Sequence, residues 1–103
     1  MNNEYLKQEL LSISYKDETD AVTLRYLVLH LLAEYATTYK KLAGTAKGLE
    51  LLQQFKKLEA AQIAFKEKCR GREMTECDFM ITRELALRHV INLSTEQLLL
   101  HAA

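Results

Sequence analysis

The segment 18–43 is the feature that most restricts how this chain can fold, because apolar side chains occupy most of its circumference. It contains neither proline nor glycine, so nothing in it forces a helix to stop. Several polar side chains gather on one narrow stripe, which consists of Thr23, His30, Glu34, Thr37 and Lys41. A surface helix needs an apolar arc of about 100°, and the arc here is roughly twice as wide. The segment is therefore predicted to be either the centre of a bundle or part of an interface.

Capping residues divide the chain into helices. The whole chain has no proline and only three glycines, and we expect residues 1–103 to form one helical domain. Ser94 and Gln97 have the spacing of a capping box, which predicts a break before a last short helix. The predicted helices run from Asn2 to about Ser14, from about Glu18 after an Asp17 cap to Ala43, from the Thr45 cap to about Arg70, from the Thr75 cap to about Asn92, and from about Thr95 to His101.

The third helix carries a seam with alternating four- and three-residue spacing, which is typical of helices that pack lengthwise. The seam consists of Leu51, Phe55, Leu58, Gln62, Phe65 and Cys69. The second and third helices are of similar length and are separated by a short turn at Gly44. The similar lengths and the short turn predict a long antiparallel hairpin whose sides are covered by the shorter helices. The fold class is therefore an all-α, four- to five-helix bundle built on that hairpin.

The charges are balanced overall but unevenly distributed. The chain has 14 basic and 14 acidic side chains, which argues against a general polyanion binder. Segment 37–72 nevertheless holds nine basic residues against three acidic ones. This excess leaves a nucleic-acid-associated regulator as the alternative function. Its polyanion-binding residues would be Lys56, Lys57, Lys66, Lys68, Arg70 and Arg72.

The residues that usually carry chemistry lack the necessary spacing. The histidines show no metal-binding pattern, and His30 with Glu34 is read as an ion pair on a helix surface. Cys69 and Cys77 flank a turn without forming a CxxC motif, so we interpret them as free thiols of a reducing compartment. The loop 44–48 lacks the strand and residue order of a phosphate-binding loop. We therefore predict no catalytic residue, no metal and no cofactor.

A protein partner is the favoured interpretation of the surplus apolar surface. Tyrosine suits interfaces because it buries area while keeping a polar tip. The predicted contact residues are Tyr26, Tyr35, Tyr39, Leu49, Leu52 and Ile63. A second copy of the chain is the expected partner, which predicts a homodimer.

The predicted function is that of a small non-enzymatic cytoplasmic regulator, adaptor or inhibitor that binds another protein. The first residues have no basic stretch followed by an apolar run, so no signal peptide is expected. No apolar run approaches the roughly 20 residues of a membrane span. A further alternative is a ligand- or lipid-binding bundle with a cavity lined by Leu27, Leu31, Tyr35 and Phe55.

Overall fold

A computed structural model describes the backbone of residues 3–102 and the side chains of residues 3–97. The described chain is all-helical and consists of four helices. They are α1 (Asn3–Ser12), α2 (Glu18–Leu42), α3 (Ala46–Arg70) and α4 (Glu76–Ala102). The all-α prediction is confirmed; Asn2, where the first helix was expected to begin, lies outside the described residues.

Side-chain caps begin α2, α3 and α4 as their local sequences predict. The Asp17 carboxylate accepts a hydrogen bond from the backbone N–H of Thr19 at 2.8 Å, and the Asp20 carboxylate in turn accepts one from the Asp17 N–H. Thr45 Oγ1 accepts from the Gly48 N–H at 3.0 Å. These bonds satisfy backbone donors that the first turn of a helix leaves unpaired.

The cap of α4 is reciprocal. Thr75 Oγ1 accepts from the Asp78 N–H at 3.1 Å, while Asp78 Oδ2 accepts from the Thr75 N–H at 3.3 Å. Lys68 Nζ donates to the other oxygen of Asp78 at 2.7 Å and so ties the end of α3 to the start of α4. Hydrogen bonds from Lys68 and Thr75 lower the pKa of the Asp78 carboxyl.

We expect Thr75→Ala to lower the free energy of unfolding by about 1 kcal/mol, because the variant loses an N-cap acceptor. Urea unfolding followed by circular dichroism measures the change. Thr37→Ala is the matched control, since the Thr37 hydroxyl only bonds the Ala33 carbonyl within α2. If the two variants lost equal stability, the capping hydroxyl of Thr75 would contribute no more to stability than a hydroxyl inside a helix does.

The predicted break before Thr95 is wrong, because α4 continues without interruption to Ala102. Ser94 does not cap a new helix: its hydroxyl donates to the Val90 carbonyl one turn earlier, at 2.8 Å. Gln97 reaches across the bundle instead, where its amide donates to Thr38 Oγ1 at 3.1 Å. A serine hydroxyl can either cap a new helix or bond its own preceding turn; Ser94 does the latter, and the neighbouring Leu93 is fully buried.

All four helices contribute side chains to one hydrophobic core. Helices α2 and α3 pack along each other, α4 packs against both, and α1 packs against α2 and α4. The predicted seam of α3 faces this core, with Leu51, Leu58, Gln62 and Phe65 buried and Phe55 and Cys69 packed at its margin. The core side of α2 is formed by Ala21, Leu24, Leu27, Val28, Leu31, Leu32, Tyr35 and Thr38.

Candidate interaction surface

The side of α2 turned away from the core exposes a line of apolar residues, which we call the outer stripe. It consists of Val22, Tyr26 and Leu29. Their spacing of four and three residues keeps them on one face of the helix. Tyr26 is 61% exposed and Leu29 is 42% exposed. The wide apolar arc of this helix is thus divided: one part fills the core and another part faces solvent.

Helix α3 contributes further apolar groups. Leu49 and Ile63 are exposed, and Leu52 is half-buried. A cavity of about 210 Å³ lies between the two helices, where Leu52 of α3 meets Tyr39 of α2. Five of the six predicted contact residues therefore remain reachable from solvent: Tyr26, Tyr39, Leu49, Leu52 and Ile63.

The prediction for Tyr35 is wrong, because this side chain lies in the core with 1% of its surface exposed. Its hydroxyl is 2.7 Å from His89 Nδ1, and a hydrogen bond joins the two groups. Tyr35 lies seven and eleven residues after Val28 and Leu24, so it falls on their buried face. The position of Tyr35 around the helix relative to Val28 and Leu24 could have predicted its burial from the sequence. The four-residue spacing to Tyr39 does not indicate which face points inward.

Several exposed apolar residues lie outside the predicted set. Val22 and Leu29 complete the outer stripe of α2, and Met80, Ile81 and Ile91 are exposed on α4. Met80 and Ile81 line a shallow groove of about 650 Å³ on the outer side of α4. Sequence spacing could not separate these residues from core positions, since each has a buried apolar neighbour within about one turn.

The predicted polyanion-binding residues do not form one surface. Lys56 and Lys57 are exposed but adjacent in sequence, which turns them about 100° apart around α3. Lys68 is engaged with Asp78 at 2.7 Å, and Arg70 lies 3.6 Å from Glu67. Lys66 is half-buried, and Arg72 lies in the turn that follows α3. The basic excess of this segment is therefore spread around the helix.

A polar cleft of about 480 Å³ separates the start of α3 from the second half of α4. Lys47 Nζ lies in it, 3.2 Å from Glu50 and 3.0 Å from Glu96. The hydrogen bond to Glu96, followed by that to Glu50, raises the pKa of the Lys47 amine. A lysine that acts as a base or nucleophile needs a lowered pKa. This cleft therefore holds Lys47 as a charged partner of carboxylates.

The remaining groups singled out by sequence are dispersed. His30 is exposed on α2, while Glu34 accepts a hydrogen bond from Gln97 at 3.4 Å. Cys69 and Cys77 are free thiols, half-buried and exposed respectively. Burial raises the pKa of the Cys69 thiol. Among the described residues there is no group of three or more His, Cys, Asp or Glu side chains placed to hold a metal ion.

The buried His89 predicts a pH dependence of stability. Burial, and secondarily the charge of Lys57, lowers its pKa in the folded protein. The unfolded state, with an imidazole pKa of about 6.5, therefore binds a proton more readily. We expect stability to decrease as the pH falls below about 6.5, with little contribution from this group above that value. Urea unfolding at a series of pH values between about 5 and 8 measures how the free energy of unfolding changes with pH.

Two variants test the assignment of this slope. His89→Gln removes the titrating group and should flatten the decrease below about pH 6.5. His30→Gln removes an exposed imidazole and should leave the profile unchanged. A slope that survives in His89→Gln would show that another group causes it.

Comparisons with known proteins assign no family to this chain, so its class is given by the fold alone. No protein-family model, curated protein or solved structure matched this chain. Within residues 3–102, none of the helices combines the length and the apolar character needed to cross a membrane. Residues 3–102 form four helices, and the second of these helices carries an exposed apolar stripe.

Proposed function

We propose that this chain is a small non-enzymatic protein that acts by binding other proteins and that forms a homodimer through the outer face of α2 and α3. The observation that carries the proposal is the outer stripe, Val22, Tyr26 and Leu29, which is exposed although it continues the apolar arc of a helix whose other side is buried in the core. A regulator, adaptor or inhibitor in the cytoplasm is the role that we infer from this property.

The frame of the proposed surface is an antiparallel hairpin of α2 and α3. Each helix has 25 residues, and the short turn between them contains Gly44 at a φ of 86°. Glycine takes this left-handed conformation without the steric cost of a Cβ. The hairpin gives the face its length and joins the outer stripe of α2 to the exposed apolar groups of α3.

The size of this face supports a second copy as the partner. A 25-residue helix is about 38 Å long, and two packed helices are about 20 Å wide, which gives a footprint of about 750 Å². A stable protein interface buries about 800 Å² on each partner. The face also carries both signs of charge on α3, since Lys56 and Glu59 are exposed three residues apart. Two copies related by a twofold axis can therefore meet without a net clash of like charges.

The dimer is tested by placing a carboxylate on the outer stripe. We expect the unaltered chain to have twice the 11.9 kDa mass of one chain in light scattering at tens of micromolar. Tyr26→Glu should reduce the mass to that of a monomer, because an unpaired carboxylate in an apolar interface is costly. Since Tyr26 is 61% exposed, its replacement should leave the thermal midpoint of the isolated subunit almost unchanged.

Ile91→Glu is the matched control, because Ile91 is also exposed, at 52%, but lies on α4. This variant should remain a dimer. A monomeric unaltered protein would overturn the homodimer. Loss of the dimer in Ile91→Glu, but not in Tyr26→Glu, would move the interface to α4.

The alternative, nucleic-acid binding through α3, rests on the basic excess of segment 37–72. It predicts retention on heparin that weakens steeply with salt. The separation of Lys56 from Lys57 and the pairing of Lys68 with Asp78 disfavour it. Strong salt-dependent retention that is abolished in Lys56→Gln/Lys57→Gln would favour the alternative over the protein-binding role.

A further inference from the structure

A small cavity of about 190 Å³ lies where the start of α2 meets the end of α3. The turns before α2 and before α4 complete its wall through Tyr15 and Met74. Since one water molecule occupies about 30 Å³ of liquid, the cavity has room for about six waters. That space is sufficient for a tetrahedral oxyanion with a compact apolar substituent.

Three arginines, Arg25, Arg70 and Arg72, line this cavity together with one carboxylate, Glu18. They come from α2, from the last residue of α3 and from the turn after it. At neutral pH the four side chains sum to two positive charges. Arg70 also complements the negative end of the α3 dipole, but Arg25 lies inside α2 and has no such role.

The Arg25 guanidinium is the least satisfied of these groups. Its Nε–H is shielded from solvent and has no acceptor. Among the side chains of residues 3–97, that of Arg25 makes no hydrogen bond or ion pair, and neither does that of Arg72. A shielded donor without a partner is unfavourable, and more so when it is charged. The guanidinium groups of Arg25 and Arg72 therefore have N–H donors without a partner among the described residues, and both side chains line the cavity.

We propose that the convergence of Arg25, Arg70 and Arg72 on this cavity forms a binding site for the phosphoryl group of a small phosphate monoester. Guanidinium groups bind phosphate oxygens through paired, charge-assisted hydrogen bonds. The wall formed by Tyr15 and Met74 receives the apolar substituent of the ester. The lining of this site comes from a single chain, although it shares Val22 with the outer stripe.

Phenyl phosphate is the probe for this site. Isothermal titration at constant ionic strength should show binding to the unaltered protein that is at least about tenfold tighter than that of benzoate, which has a planar, singly charged oxyanion. Inorganic phosphate should bind more weakly than phenyl phosphate, because it leaves the apolar wall uncovered. Arg25→Met should weaken phenyl phosphate binding at least about tenfold.

Arg88→Met is the matched control, since Arg88 is an exposed arginine on α4, away from this cavity. It should bind phenyl phosphate as the unaltered protein does. Thermal unfolding verifies that each variant is folded, and Arg70→Met replaces Arg25→Met if the latter is not. The proposal is overturned by any of three results: no heat with phenyl phosphate, equal affinity in the folded arginine variant, or benzoate or inorganic phosphate binding as tightly as the ester.

Discussion

Gly48→Ala is expected to destabilise the protein, although a glycine-to-alanine change inside a helix normally stabilises it by about 1 kcal/mol. A Cβ built on Gly48 would lie 2.2 Å from the carbonyl oxygen of Leu42. That oxygen belongs to the backbone, so it cannot rotate away as a side chain would. The same carbonyl accepts a hydrogen bond from the Thr45 N–H at 3.1 Å, so any shift also disturbs the cap of α3. We expect a loss of about 1–3 kcal/mol.

Gly71→Ala is the control for this prediction. Gly71 has an ordinary φ of −79°, and a Cβ there would meet its nearest neighbour at 3.4 Å. This variant should be unchanged or more stable by about 0.5 kcal/mol, because alanine restricts the unfolded chain. Urea unfolding of both variants measures the difference. A Gly48→Ala protein as stable as Gly71→Ala would mean that the α2–α3 turn is not as close as the structure shows.

Tyr35→Phe is expected to lower the free energy of unfolding by about 1–3 kcal/mol, although the ring that fills the core is kept. The variant loses the hydroxyl that is 2.7 Å from His89 Nδ1, and it leaves that nitrogen buried without this partner. The rings of the two residues are also in contact edge to face, with centroids 5.6 Å apart, and the variant retains that contact. The change therefore isolates the hydrogen bond from the packing.

A double-mutant cycle separates the cost of the unpaired imidazole from the loss of the hydroxyl. Adding His89→Met to Tyr35→Phe removes both polar groups, so His89→Met should be much less costly in the Tyr35→Phe variant than in the unaltered protein. Tyr39→Phe, a change at a half-buried tyrosine of the same helix, should alter stability by less than about 0.5 kcal/mol. Additive losses in the cycle would show that Tyr35 and His89 do not depend on each other.

Helix starts were predictable because their signals are short-range. Asp17 and Thr75 each bond backbone groups two or three residues away, so the residues that form these caps can be read from a short stretch of sequence. The helix that was predicted to begin after Ser94 shows the limit of this reasoning. The capping-box motif is present, but α4 continues through it. Gln97 donates its hydrogen bond to Thr38 of α2 instead.

The candidate surface was predictable only in part. Tyr26, Leu49 and Ile63 were expected to be exposed apolar groups and are exposed. The width of the apolar arc on α2 indicated surplus surface, but it could not say which part of the arc would face solvent. Val22 and Leu29 were missed and Tyr35 was misplaced for this reason: the direction of the core is set by the positions of α1, α3 and α4.

The amino-acid sequence alone determined that this protein is all-helical, where α2, α3 and α4 begin, and which side of α3 packs inward, because caps and helical periodicity act within a few residues. Only the tertiary structure decided the continuity of α4, the burial of Tyr35 against His89, and the meeting of Arg25 with Arg70 and Arg72 at one cavity. Those features join residues far apart in the chain, and helix packing, rather than local preference, brings them together.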